Sequence, residues 1–112
     1  MKWYPVSGIE PTNTPFIKKL TLGGKSICLV NYDNKLFALG ATCPHAGEDL
    51  SKGWCKDSKL VCPYHRFSYD IKTGKGSPGQ NDYVESYPVK LKNGEVLIGI
   101  ESFFDRLKQA FK

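Results

Sequence analysis

The sequence predicts an all-β domain that ends in a short helix. Three observations carry this expectation. Val, Ile, Thr, Tyr and Phe recur in short runs, punctuated by 11 glycines and 7 prolines. The clearest runs alternate their two faces and are joined by two-residue turn signals. Only beyond Ser102 does the apolar spacing change to that of a helix.

Taken in order, Trp3 to Val6 reads as a first strand. Phe16 to Leu22 is a second, ended by Gly23-Gly24. Lys25 to Tyr32 is a third, with Ile27, Leu29 and Asn31 on one face and Cys28, Val30 and Tyr32 on the other. Asp33-Asn34 turns the chain into a fourth, Lys35 to Ala41. The two short connections make these last three strands an antiparallel meander. From Thr42 to Gly79 the strands shorten and Cys, His, Pro and Gly become frequent. Gly53 to Cys55 and Lys59 to Cys62 form a small hairpin around Asp57-Ser58. Phe67 to Ile71 follows, stopped by Thr73-Gly74. Gly76 to Asp82 is a Pro/Gly loop. Tyr83 to Lys92 and Glu95 to Ile100 pair across Asn93-Gly94 as a final hairpin. In the last stretch, about 102–111, Phe103, Phe104, Leu107 and Phe111 share one helical face, with Ser102 as the N-cap.

Length and composition narrow the function. With 112 residues there is room for one compact domain, read as 1–112. No apolar run approaches the ~18–20 residues that span a bilayer. The first eight residues lack the apolar core of a signal peptide, so the expected location is cytoplasmic. The net charge of +5 is spread over scattered lysines, outside any aromatic-rich nucleic-acid motif. No nucleic-acid partner is expected. A weakly basic surface suits transient docking to an acidic protein patch. Four cysteines in a reducing compartment read as thiols or metal ligands rather than disulfides.

Two of those cysteines have histidine neighbours. The chain has only two histidines, in Cys43-Pro44-His45 and Cys62-Pro63-Tyr64-His65, with sixteen residues between His45 and Cys62. Each half offers one thiolate and one imidazole from a loop between strands. A cluster whose two irons carry two thiolates and two imidazoles respectively needs this mixed pairing. Each loop must then set its Cys deep and its His toward the tip. Pro44 and Pro63 stiffen the loops, and Gly47 and Gly53 supply unusual backbone angles. Two Cys and two His also make a tetrahedral zinc set. Zinc sites more often use closely spaced pairs of like ligands, whereas each pair here is mixed. Cys28 reads as a buried inert thiol and Cys55 as structural. Trp3 and Trp54 read as core or loop-packing residues rather than electron relays.

These boxes resemble the Rieske [2Fe–2S] family, in particular its small ferredoxins. The resemblance extends to Leu50 and Gly53, to Phe67-Ser68-Tyr69-Asp70 before Thr73-Gly74, and to Tyr87-Pro88-Val89-Lys90 with Asn93-Gly94-Glu95-Val96. It implies a β-sandwich or incomplete barrel with a small cluster-binding subdomain, about 42–80, and a third covering loop at Pro78. It implies one [2Fe–2S] cluster held by Cys43, His45, Cys62 and His65. It further implies an electron carrier with no catalytic site of its own, working between an NAD(P)H-dependent reductase and an oxygenase or other redox protein, as a monomer. Glu48 and Tyr64 stand where the disulfide-bonded branch has cysteines, which places the chain with the ferredoxin and oxygenase branch. Arg66 stands where the family usually has Gly.

A small subunit of a multi-subunit reductase, as in assimilatory nitrite reductases, is the alternative by resemblance. A self-contained oxygenase would need a further 2-His-1-carboxylate iron, and there is no third histidine. By resemblance, high-potential members have a Ser two residues after the second His ligand and a Tyr two further on. The positions here are Phe67, which cannot donate a hydrogen bond, and Tyr69, which can. The reduction potential is therefore expected in the lower half of a range of about −150 to +300 mV.

Overall fold

The computed structural model describes residues 1–44, 47–64 and 66–101. These form ten strands: β1 (Lys2–Val6), β2 (Phe16–Leu22), β3 (Lys25–Tyr32), β4 (Lys35–Gly40), β5 (Trp54–Lys56), β6 (Lys59–Val61), β7 (Ser68–Asp70), β8 (Ser86–Tyr87), β9 (Val89–Lys92) and β10 (Glu95–Ile100). A single 3₁₀ turn, Leu50–Lys52, is the one helical element among the described residues. The expected terminal helix at about 102–111 lies outside them.

Local sequence dictates the hairpins. Gly23-Gly24, Asp33-Asn34, Asp57-Ser58 and Asn93-Gly94 all have positive φ at both positions, between 52° and 78°. That is the type I′ turn, whose twist matches the strands it joins and which Gly, Asn and Asp tolerate best. Each turn sets the register of its hairpin, as in Leu22↔Lys25 and Tyr32↔Lys35.

The strands form three sheets, ordered β2-β3-β4-β8, β1-β10-β9 and β5-β6-β7. Strand β3 is buried on both faces, and its two side-chain rows serve different cores. Ile27 and Leu29 join Ala38, Val6, Val96, Ile98 and Ile100 in the core between the two larger sheets. Cys28 and Val30 join Leu39, Leu50, Leu60, Tyr69 and Ile71 in a second core, beneath the small β5-β6-β7 sheet. The outcome is the expected β-sandwich, with the small sheet resting on its back. No helix among the described residues is long and apolar enough to cross a membrane.

Among the described residues Asn31 is the one buried polar side chain of the Asn/Gln, Ser/Thr and charged types, with no exposed surface. Its side chain accepts from the Thr12 N–H at 3.3 Å and donates to the Thr12 and Thr14 carbonyls, each at 2.9 Å. It thereby pins the loop between β1 and β2. Replacing Asn31 with alanine strands those groups and should lower stability by about 2 kcal/mol, read by chemical denaturation.

The final hairpin departs from expectation at one point. Tyr83 to Lys92 is not one strand. Pro88, which has no N–H to give a ladder, divides it: β8 pairs with β4, while β9 pairs with β10. The chain thus passes from one sheet of the sandwich to the other.

Candidate metal centre

The four residues expected to act as ligands divide into two that the structure describes and two that it does not. Cys43 and Cys62 are described; His45 and His65 lie outside the described residues. Cys43 follows β4 and Cys62 follows β6, and neither has exposed surface. The two thiols lie side by side, within hydrogen-bonding reach of each other.

The two loops close in the same manner. The Cys43 N–H donates to the Glu48 carbonyl at 2.8 Å, and the Cys62 N–H donates to the Phe67 carbonyl at 2.7 Å. Each bond spans five residues and encloses one histidine position. In the first loop the Gly47 N–H also returns to the Cys43 carbonyl at 2.8 Å, with Gly47 at φ +70°. Burial pushes the Cys62 thiol up, and the backbone N–H of Tyr64, which donates to its sulfur, offsets only part of this. Pro44, Pro63, Tyr64, Arg66 and Pro78 are exposed, so an accessible rim surrounds buried sulfurs.

Three neighbouring features hold the loops. Asp49 caps the 3₁₀ turn by accepting from the Ser51 N–H at 2.9 Å, and pairs with Lys19 of β2 at 3.1 Å. The Ser51 hydroxyl, together with its N–H and Lys19, holds the Asp49 carboxyl below its usual range. Gly53 fits for a different reason from the one expected. Its φ is −86°, which any residue adopts, but a Cβ there would collide with the Val61 carbonyl. The loop around Pro78 is latched to β7 by Gln80, which accepts from the Ser68 N–H and donates to the Ser68 carbonyl, both at 3.0 Å.

Beneath the first loop, Tyr69 is fully buried. Its hydroxyl lies 3.5 Å from Cys43 Sγ and 3.0 Å from Asp82 Oδ2. Burial, reinforced by those two neighbours, pushes the hydroxyl far above its ordinary pKa, so it stays protonated. Sequence reasoning named Tyr69 as a donor but missed Asp82 and Gln80. Gly76 to Asp82 reads only as a Pro/Gly loop.

The other two cysteines behave as expected. Burial pushes the Cys28 thiol up to about 12, and burial pushes the half-buried Cys55 up to about 11. At pH 8 a thiol of pKa about 11 is roughly one part in a thousand thiolate, against about a quarter for an ordinary cysteine. Alkylation of Cys55 should therefore run about 250-fold slower than that of a free cysteine at pH 8, followed by mass spectrometry. Rapid stoichiometric labelling would show that Cys55 is activated. Trp54 is 43% exposed at the start of β5 and is not a core residue. Trp3 stacks under the Lys90 ammonium, 4.0 Å from its ring centre.

Two adjacent buried thiols, presented by two rigid loops, match half the donor set of a mixed Cys/His iron–sulfur centre. Residues 2–88 match the Rieske [2Fe-2S] domain family. The chain belongs to this family.

A Rieske relative in Ralstonia, the ferredoxin component of naphthalene 1,2-dioxygenase/salicylate 5-hydroxylase systems, is 30% identical over 88% of this chain and 96% of that protein. Among solved structures, a chain in the complex of reduced oxygenase and oxidized ferredoxin of carbazole 1,9a-dioxygenase superposes with a TM-score of 0.73. It is 22% identical, over 88% of this chain and 97% of that one. A Mycobacterium tuberculosis protein assigned as an NADH-dependent nitrite reductase small subunit gives a TM-score of 0.77 at 17% identity, over 90% and 96% of the two chains. At these identities the two structures speak for the Rieske fold.

Proposed function

We propose that this Rieske chain is a ferredoxin: it binds one [2Fe–2S] cluster through Cys43, His45, Cys62 and His65, and carries single electrons from an NAD(P)H-dependent reductase to a terminal oxygenase. The observation that carries the reading is the end-to-end likeness to a ferredoxin component, 96% of which is covered. A bound cluster supplies a one-electron donor and acceptor at the edge of the protein. Cys43 and Cys62, buried side by side, would hold one iron as thiolates. The boxes would hold the other iron through His45 and His65. Residues 42–80 form the cluster-binding unit of a single domain, 1–112, with no catalytic site of its own. Pro44, Pro63, Tyr64 and Arg66 form the rim that a partner touches. Docking there is weak, brief and helped by the positive charge of the chain, which acts as a cytoplasmic monomer.

The test is to reduce the purified protein with dithionite and mix it rapidly with a Rieske oxygenase in air-free buffer. Reoxidation whose rate falls with added salt supports the proposal. Stable co-purification with a large reductase subunit, and no electron transfer to the oxygenase, would instead support the reductase-subunit reading.

A further inference from the structure

The Tyr69 hydroxyl carries one proton and faces two acceptors. Cys43 Sγ lies at 3.5 Å and Asp82 Oδ2 at 3.0 Å, with both tyrosine and sulfur fully buried. An ionised carboxylate can only accept, and so can a thiolate that ligates iron. The hydroxyl proton therefore goes to one or the other. The carboxylate oxygen is the small, concentrated anion of the two, since a ligating thiolate shares its charge with the metal. Its aim is also fixed. Gln80 Nε2 donates to Asp82 Oδ1 at 3.1 Å, and the Gly76 N–H donates to the Asp82 carbonyl at 2.9 Å. Gly76 leaves room for this, because a Cβ there would run into the Asp82 side chain.

We propose that Asp82 is a potential-setting residue: by accepting the Tyr69 proton it withholds that hydrogen bond from Cys43. Hydrogen bonds to cluster sulfurs stabilise the extra negative charge of the reduced state and raise the potential. Withholding one keeps the potential low. The Asp82 charge acts in the same direction through space, without needing Tyr69. Loss of Asp82 thus has two consequences. It removes a nearby negative charge, and it releases the hydroxyl to donate to Cys43.

The inference rests on the reading of Cys43 as a cluster ligand, and a double-mutant cycle separates the two. Midpoint potentials are measured by protein-film voltammetry on four holoproteins: the native chain, Tyr69→Phe, Asp82→Ala and the double variant. Iron content and the visible spectrum confirm that each is loaded. Asp82→Ala should raise the midpoint. Tyr69→Phe should hardly move it in the native background, yet lower it clearly in the Asp82→Ala background. An equal lowering in both backgrounds would show that Tyr69 already donates to the sulfur, and would overturn the proposal. No lowering in either background would overturn it too. If Asp82→Ala fails to load, the same comparison is made in Asp82→Asn, whose neutral amide competes more weakly for the proton. A native chain that binds no cluster would instead remove the ligand reading itself.

Discussion

Replacing Cys43 with serine is expected to abolish the visible absorption of the purified protein and to loosen residues 42–80. The sulfur is fully buried beside Cys62, on a loop closed by its own backbone N–H. A serine hydroxyl does not ionise to serve as a ligand near neutral pH, so one iron would keep a single thiolate. Cluster binding is coupled to the folding of the loops that supply it, and loss of the metal therefore costs local structure. The loss should stop at a definable boundary. The core between the two larger sheets is made of Val6, Ile27, Leu29, Ala38, Val96, Ile98 and Ile100, none from 42–80. Amides of β3, whose Ile27 and Leu29 side chains fill that core, should stay protected from hydrogen exchange while those of β6 lose protection. Cys28→Ser is the control and should retain full colour, since Cys28 lies within β3 in the second core, with Cys55 rather than Cys62 as its neighbouring thiol. A Cys43→Ser protein with full cluster content and an unchanged spectrum would mean that Cys43 is not a ligand.

Gly53→Ala should be a severely damaging single-methyl change beside the centre. The added carbon would meet the Val61 carbonyl oxygen and lie 3.3 Å from the Leu50 carbonyl oxygen. Both obstacles are backbone, so neither can rotate away. Moving them disturbs the pairing of Trp54 with Val61, directly before Cys62. Overpacking of this kind costs about 3 kcal/mol, or a fall in melting temperature of roughly 10 °C for a domain this size. Gly47→Ala makes the comparison sharp. At Gly47 a Cβ meets nothing, and only the positive φ of 70° resists it, a cost of about 1 kcal/mol. Thermal unfolding of the two holoproteins reads the difference. Equal destabilisation would show that the steric account of Gly53 is wrong.

How far the sequence reveals this molecule depends on the range of the interaction concerned. Turn dipeptides act locally, and Gly23-Gly24, Asp33-Asn34, Asp57-Ser58 and Asn93-Gly94 all lie where they were read. The opposed rows of β3 were equally legible, because period two follows from the pleat. Pro88 was a local signal that the alternation around it concealed, and it divides what reads as one strand into β8 and β9. Gly53 was picked out but for the wrong cause, since its need is set by Val61, which the hairpin brings against it. The thiols could be picked out from their histidine neighbours, and their closeness is a product of the fold. Asp82 could not be found at all. It lies thirteen residues from Tyr69, in a loop with no ligand signature, and the Gln80 latch and the Gly76 backbone bond bring it there.

The central claim is that Cys43, His45, Cys62 and His65 hold an iron–sulfur cluster, and metal and sulfide analysis of the purified protein tests it most directly. The account predicts a reddish-brown protein with about two iron and two acid-labile sulfide per chain. A colourless protein with one zinc per chain and no labile sulfide would contradict it, leaving the same four residues as a structural zinc site.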